Sequence, residues 1–203
     1  MPLAYLDLRN TRVQDLKPLA GAPLTTLQLE NTEVTDLSPL LKAPLTILTL
    51  SWREGLDLAP LQGMAVQTLK MTGREFKDLA PLRGLKLTSL SLLETGVTDL
   101  APVAELPLTD LTLMGTPVTN LTPVKNLKLV SLHLSQAGVD IAPVAGMPLE
   151  MISLPAPASV VNIEVLRDMK TLQWIRPPEC KPIPVAEFWK AYDAGGFTRK
   201  EAE

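Results

Sequence analysis

A chain of 203 residues with 46% apolar side chains is long enough to bury a sizeable core, and with aromatics at only 4% that core must be aliphatic. Nineteen Lys and Arg against twenty-two Asp and Glu leave a net charge of −3 with no block of like charge, which argues against nucleic acid and anionic lipid as partners. A single cysteine, Cys180, excludes an internal disulfide and slightly favours a reducing compartment such as the cytoplasm, leaving the compartment open; no apolar run approaches the roughly 18 to 20 residues that span a bilayer.

The N-terminal MPLAYLDLRN has neither the basic nor the apolar region of a signal peptide and opens inside a repeat, so we expect a longer parent protein. The repeated unit is clearest at 24–44, LTTLQLENTEVTDLSPLLKAP. Copies begin at Leu3, Leu24, Leu45, Val66, Leu87, Leu108 and Leu129, each 21 residues after the last, and at Leu149 after 20. Apolar residues recur at positions 1, 4, 6, 11, 14 and 17, as in Leu24, Leu27, Leu29, Val34, Leu37 and Leu40. The spacing of two between positions 4 and 6 predicts a short strand with both leucines facing inward. One such strand is too short to stand alone, but stacked copies pair it into a parallel sheet and bury six apolar side chains per layer.

Position 13 is Asp15, Asp36, Asp57, Asp78, Asp99 or Asn120, followed by L-x-P-L. An Asp or Asn there accepts from the amides of the next turn, and a proline in a first helical turn loses no intrahelical bond. The return leg is therefore predicted to be one 3₁₀ turn rather than a long helix.

Two adjacent repeats depart from the pattern after their strands, with SWREG at 51–55 and TGREF at 72–76. They bring Trp52, Arg53, Glu54, Arg74, Glu75 and Phe76 to one rim. Trp and Arg are the residue types enriched in binding hot spots, so this rim is the candidate protein-binding site; the competing reading is a Trp packed over an irregular turn beside solvated Arg and Glu.

Regularity ends after the repeat from Leu129, and the one from Leu149 is degenerate. TLQWIRP at 171–177 reads as a last strand, and Pro177, Pro178, Pro182 and Pro184 as an extended linker. Val185, Phe188, Trp189 and Tyr192 then fall at i, i+3, i+4 and i+7, a single apolar stripe stopped by Gly195 and Gly196, which predicts a helix capping the last open layer. The division expected is a solenoid over 1–176 and a proline-rich linker with cap helix over 177–203. No comparable cap precedes Leu3, so Leu3, Leu6, Leu8, Val13, Leu16 and Leu19 are expected to form a bare apolar layer through which the chain self-associates.

The pattern L-x-x-L-x-L-x-x-T-x-V-x-D-L-x-P-L over about residues 3 to 176 resembles the bacterial leucine-rich repeat family, and most closely its short-repeat members, the internalins. The segment LRDMKTLQWI with AEFWKAYDAGG is similar to the terminal part of planctomycete-type repeat proteins, some of which carry kinase domains. The family usually places Asn or Cys at position 9; here it is Thr11, Thr32, Thr95 and Thr116, with Arg53, Arg74 and Ala137. A Thr hydroxyl offers one donor where an Asn amide offers more, so the side-chain ladder between coils is expected to be thinner.

Residues that carry chemistry elsewhere find no partners in the sequence. His133 is the only histidine, on the outward side of its strand, and is read as a solvated sheet residue. Cys180 has no activating neighbourhood. The column of Asp15, Asp36, Asp57, Asp78 and Asp99 is read as local caps rather than a calcium row. Asp7 and Asp110 are five coils, roughly 24 Å, apart at the strand spacing, beyond the about 5 to 9.5 Å of a hydrolytic pair. No catalytic residue, cofactor or metal site is expected. The function expected is recognition of a protein or peptide by one module of a longer protein; the alternatives are a structural spacer and, third, a solenoid enzyme acting on polysaccharide.

Overall fold

Leucines two apart on an extended backbone point to the same side, and that side is the core: Leu27 is 0% and Leu29 1% exposed, as are Leu90 (1%) and Leu92 (0%) three coils on. The computed structural model describes residues 3–197. Residues 1–2 of the expected solenoid and 198–203 of the expected C-terminal segment lie outside the described residues. Nine strands pair in chain order, all parallel: β1 (Tyr5–Asp7), β2 (Thr26–Leu29), β3 (Ile47–Ser51), β4 (Thr68–Gly73), β5 (Ser89–Thr95), β6 (Asp110–Leu113), β7 (Ser131–Leu134), β8 (Met151–Ser153) and β9 (Trp174–Arg176). In-register stacking puts each leucine on its counterpart, Leu6 on Leu27, Leu48, Leu69, Leu90, Leu111 and Leu132. The ladder runs on just before the strands. The amides of Thr25, Thr46, Gln67, Thr88, Thr109, Val130, Glu150 and Gln173 each donate to the carbonyl one coil earlier, at 2.7 to 2.9 Å.

The return legs are single 3₁₀ turns with proline second, from Lys17–Leu19 to Ala142–Val144. In each, the position-13 side chain, or its equivalent Asp140 at position 12 of the repeat from Leu129, accepts from the amide two residues on. Asp15 binds Lys17, Asp36 Ser38, Asp57 Ala59, Asp78 Ala80, Asp99 Ala101, Asn120 Thr122 and Asp140 Ala142, all at 2.8 to 2.9 Å. These bonds use the carboxylates for turns. Asp36 is held below the usual carboxylate range first by the Ser38 side chain and then by this amide, and Asp140 first by the Asn162 amide and then by its turn.

Three details differ from the sequence reading. A seventh inward position, near the end of each repeat, joins the six: Ala43, Leu85, Leu106, Leu127 and Met147 are 2 to 7% exposed. The position-9 threonines bond within their own coil, Thr95 and Thr116 to the carbonyls of Leu92 and Leu113 at 3.2 and 2.8 Å. Fully buried at 1 and 2%, these hydroxyls need no neighbour's side chain, because a turn carbonyl lies within reach. The proline-rich stretch is no extended linker: it turns at Glu179 (φ 56°) and returns as β10 (Ile183–Pro184), antiparallel to β9. Proline is tolerated there because the strand is an edge, and the return covers the last open ladder.

The helix α1 (Val185–Asp193) follows directly. Phe188 is 0% and Trp189 9% exposed, with Val185 and Tyr192 partly buried. Gly195 (φ 77°) lets the chain leave in the left-handed conformation, so that the Gly196 amide reaches back to the carbonyl of Ala191 at 2.8 Å. At the other end the first layer is barer but not wholly so. Leu3 is 49% exposed and Leu6, Leu8, Val13 and Leu19 are partly covered, whereas Leu16 is 1% exposed under the second coil.

Candidate functional site

The rim is shaped by one backbone rule. In five coils the eighth residue is left-handed: Asn10, Asn31, Gly73, Glu94 and Gly115 have φ of 60, 56, 115, 53 and 71°. The third coil has Trp52 there, a bulky residue that this conformation disfavours. Its left-handed residue is instead Gly55 (φ 83°), three positions later, and Leu56 fills the core at 6% exposure. The loop is redrawn accordingly. The Trp52 amide donates to the Thr72 carbonyl at 2.6 Å, and Gly73 lies so close that a Cβ on it would stand 3.1 Å from Trp52 Cβ. A register shift between Thr72 and Gly73 bends the end of β4 at the same place.

The six predicted rim residues separate into two groups. Trp52 is half-buried, and its ring centroid is 5.3 Å from that of Phe76, tilted by 38°. Phe76 is not a rim residue: it is 2% exposed. It occupies position 11, where other coils carry Val13, Val34, Val97, Val118 and Val139, and so it belongs to the core. Arg53 is partly buried and reaches back one coil, Nη1 donating to the Thr32 carbonyl at 3.1 Å. Glu54, Arg74 and Glu75 are exposed. Among the described residues they form no ion pair with one another, so they are not neutralised locally. Beside them a cleft of about 530 Å³ opens between the third and fourth coils, bordered by Trp52, Leu56, Leu58, Phe76 and Pro81.

On the sheet face the outward columns follow the strand register. One runs Asp7, Gln28, Thr49, Lys70, Ser91, Thr112, His133, Ser153 and Arg176. Near its start Glu30, 8% exposed, accepts from the Thr49 hydroxyl and from Lys70 Nζ at 3.1 Å. Burial raises the Glu30 pKa, but these two donors outweigh it and hold the carboxyl below its ordinary value. Asp7 is likewise held down, by its hydrogen bonds with Arg9.

Farther along, His133 is not the solvated residue its position suggests. Its Nδ1 lies 2.7 Å from the Ser153 hydroxyl and its Nε2 3.0 Å from that of Ser131. Burial, reinforced by Arg176, pushes its pKa down against the pull of Asp110. A Ser and His in contact invite a hydrolytic reading, but Ser153 is 4% exposed and its hydroxyl meets imidazole rather than solvent, and the other ring nitrogen meets Ser131 where a triad has a carboxylate. The pair ties two strands together. Sequence reasoning missed a larger hollow of about 780 Å³ nearby, bordered by Met114, Leu134, Leu154, Pro155, Arg176 and Phe197. It arises where the degenerate repeat and the returning proline segment meet, which no repeat pattern describes. Among the described residues no three His, Cys, Asp or Glu side chains converge as a metal site, and no helix is long and apolar enough to cross a membrane.

No protein-family model matches the chain, and no curated protein matches it. Solved structures do. One is an internalin (inlF) from Listeria monocytogenes, 23% identical, with a TM-score of 0.70 over 89% of this chain. The chain spans 57% of that protein's length. Another is internalin C2 (inlC2) from the same species, 27% identical, with a TM-score of 0.68 over 86% of this chain and 80% of that one.

Proposed function

We propose that this leucine-rich repeat protein, a solenoid built as the internalins are built, is a non-enzymatic module that recognises a protein or peptide. We infer that the rim of Trp52, Arg53, Glu54, Arg74 and Glu75 forms part of its contact surface, with Phe76 as the support beneath Trp52. The observation that carries this reading is Trp52 itself. A partly exposed indole, held on a buried ring at a loop that breaks the repeat geometry, stands beside Glu54, Arg74 and Glu75, which make no ion pair among the described residues. An aromatic anchor within a charged border is the composition of interface hot spots.

The test is capture of a protein partner by the immobilised chain. Three forms are compared: the unaltered chain, Trp52→Ala with Arg74→Ala, and a control with Arg83→Ala and Lys86→Ala on exposed turns. The account expects capture by the first and third and its loss in the second. Undiminished capture by the rim variant overturns the site, and no capture by the unaltered chain overturns the recognition reading in favour of the structural spacer.

A further inference from the structure

The cleft beside Trp52 is apolar at its base and acidic at its border. Its base is the Trp52 and Phe76 pair with Leu56, Leu58 and Pro81. Its border carries three carboxylates, Asp57, Glu75 and Asp78, against one ammonium, Lys77. Asp57 and Asp78, both exposed, each commit one oxygen to their own turn, at 2.9 and 2.8 Å, and the second stays outside that bond. Glu75 has no side-chain partner among the described residues. Lys77 does not cancel these charges: its Cγ and Cε lie 3.1 and 3.2 Å from where a Cβ on Gly96 would stand, so its stem runs toward the next coil, and it makes no ion pair among the described residues.

We propose that this cleft receives a basic side chain, arginine before lysine, of an extended peptide segment of the partner. The proposal rests on the reading of the chain as a recognition module and names the chemistry of its partner. Three occupants are conceivable, and charge decides among them. An acidic group meets like charge. A purely aliphatic one covers carboxylates and leaves them desolvated without compensation. A basic side chain satisfies both parts of the site at once, its methylenes on the apolar base and its head between the carboxylates. A guanidinium also lies flat on an indole face, which an ammonium does less well. The volume, about 530 Å³, falls in the range of ligand pockets and admits a side chain with parts of its neighbours. The Asp column itself runs through most coils, with Asn120 in its place in the sixth. What sets this place apart is that an aromatic cleft opens between two members of the column and Glu75 adds a third charge.

The experiment uses the 203-residue chain and capped peptides Gly-Leu-Arg-Leu-Gly, the same with norleucine for Arg, and the same with Glu, followed by amide and indole NMR shifts. The Arg peptide is expected to move the Trp52 indole and the amides at 52–58 and 75–78. It should bind roughly 5- to 30-fold more tightly than the norleucine peptide, from one cation–π contact and exposed ion pairs, and weaken between about 50 and 500 mM salt as screening sets in. The Glu peptide should leave these signals still. Glu75→Gln, at an exposed side chain without a partner, should weaken the Arg peptide and leave all distant signals in place. Equal binding of Arg and norleucine peptides, shifts elsewhere on the surface, or none at all overturns the proposal. Because the probe needs no natural partner, such a failure removes the basic side chain and leaves capture at the rim to be judged by its own test.

Discussion

Replacing Phe188 by Ala tests whether α1 closes the solenoid. Phe188 is fully buried, with ring centroids of Trp189, Phe197 and Tyr192 at 5.1, 5.1 and 5.9 Å. Truncation of such a ring costs about 3 to 5 kcal/mol. At about 2 to 4 °C per kcal/mol for a chain of this size, the melting temperature should fall by about 6 to 20 °C. Trp189→Phe is the informative contrast. Trp189 packs under Arg167, whose guanidinium carbon is 3.8 Å from the ring centroid, but its buried Nε1 has no partner among the described residues. Removing an unpaired buried donor recovers about 1 to 3 kcal/mol, which offsets much of the lost indole contact, so this variant should stay close to the unaltered chain. Urea titration measures both. Hydrogen exchange should show that Phe188→Ala loosens β8 and β9 and spares β3 to β6, since each coil touches only its neighbours. A loss below about 1 kcal/mol, small against the expected cavity cost, or uniform loosening of every coil would refute the cap.

The turn carboxylates yield a second expectation: Asp99→Ala should cost about 0.5 to 2 kcal/mol, and Asp99→Asn little, because Asn120 already makes the same bond to Thr122 at 2.9 Å; equal losses in urea would contradict it. His133 yields a third. Its folded pKa lies below its unfolded one, so the unfolded state takes the proton first and stability declines as pH falls below about 6.5, with no effect above it; the fall should be shallower in His133→Gln, and parallel profiles would exclude the assignment. Fourth, the isolated 203-residue chain should self-associate through its first layer, where Leu3 is 49% and Tyr5 53% exposed. Sedimentation that finds a monomer at all concentrations would remove that expectation.

The repeat makes most of the fold legible from residues alone. Leu27 and Leu29 fix the strand, Asp36 and Pro39 fix the turn, and copying does the rest. What is not legible lies where copying stops or a side chain finds a local partner. Phe76 stands at the position that Val97 and Val118 fill, so its burial is readable from the repeat, but its place in TGREF beside Trp52 points to the surface instead. The role of Gly55 is hidden because a bulky residue at position 8 displaces the left-handed turn by three residues, an effect of backbone sterics and not of hydrophobic pattern. His133 belongs to the outward column, and only the two serines on its own and the next strand make it a strand tie. The return of the chain at Glu179 follows from the need to cover β9, which the four prolines of the segment do not announce.

Amide hydrogen exchange on the chain alone and saturated with its captured partner tests the central claim most directly. The account predicts new protection at residues 51–56 and 72–78, with the outward columns of β6 to β8 unchanged. Protection confined to the sheet face, with the rim exchanging as freely as before, would contradict it.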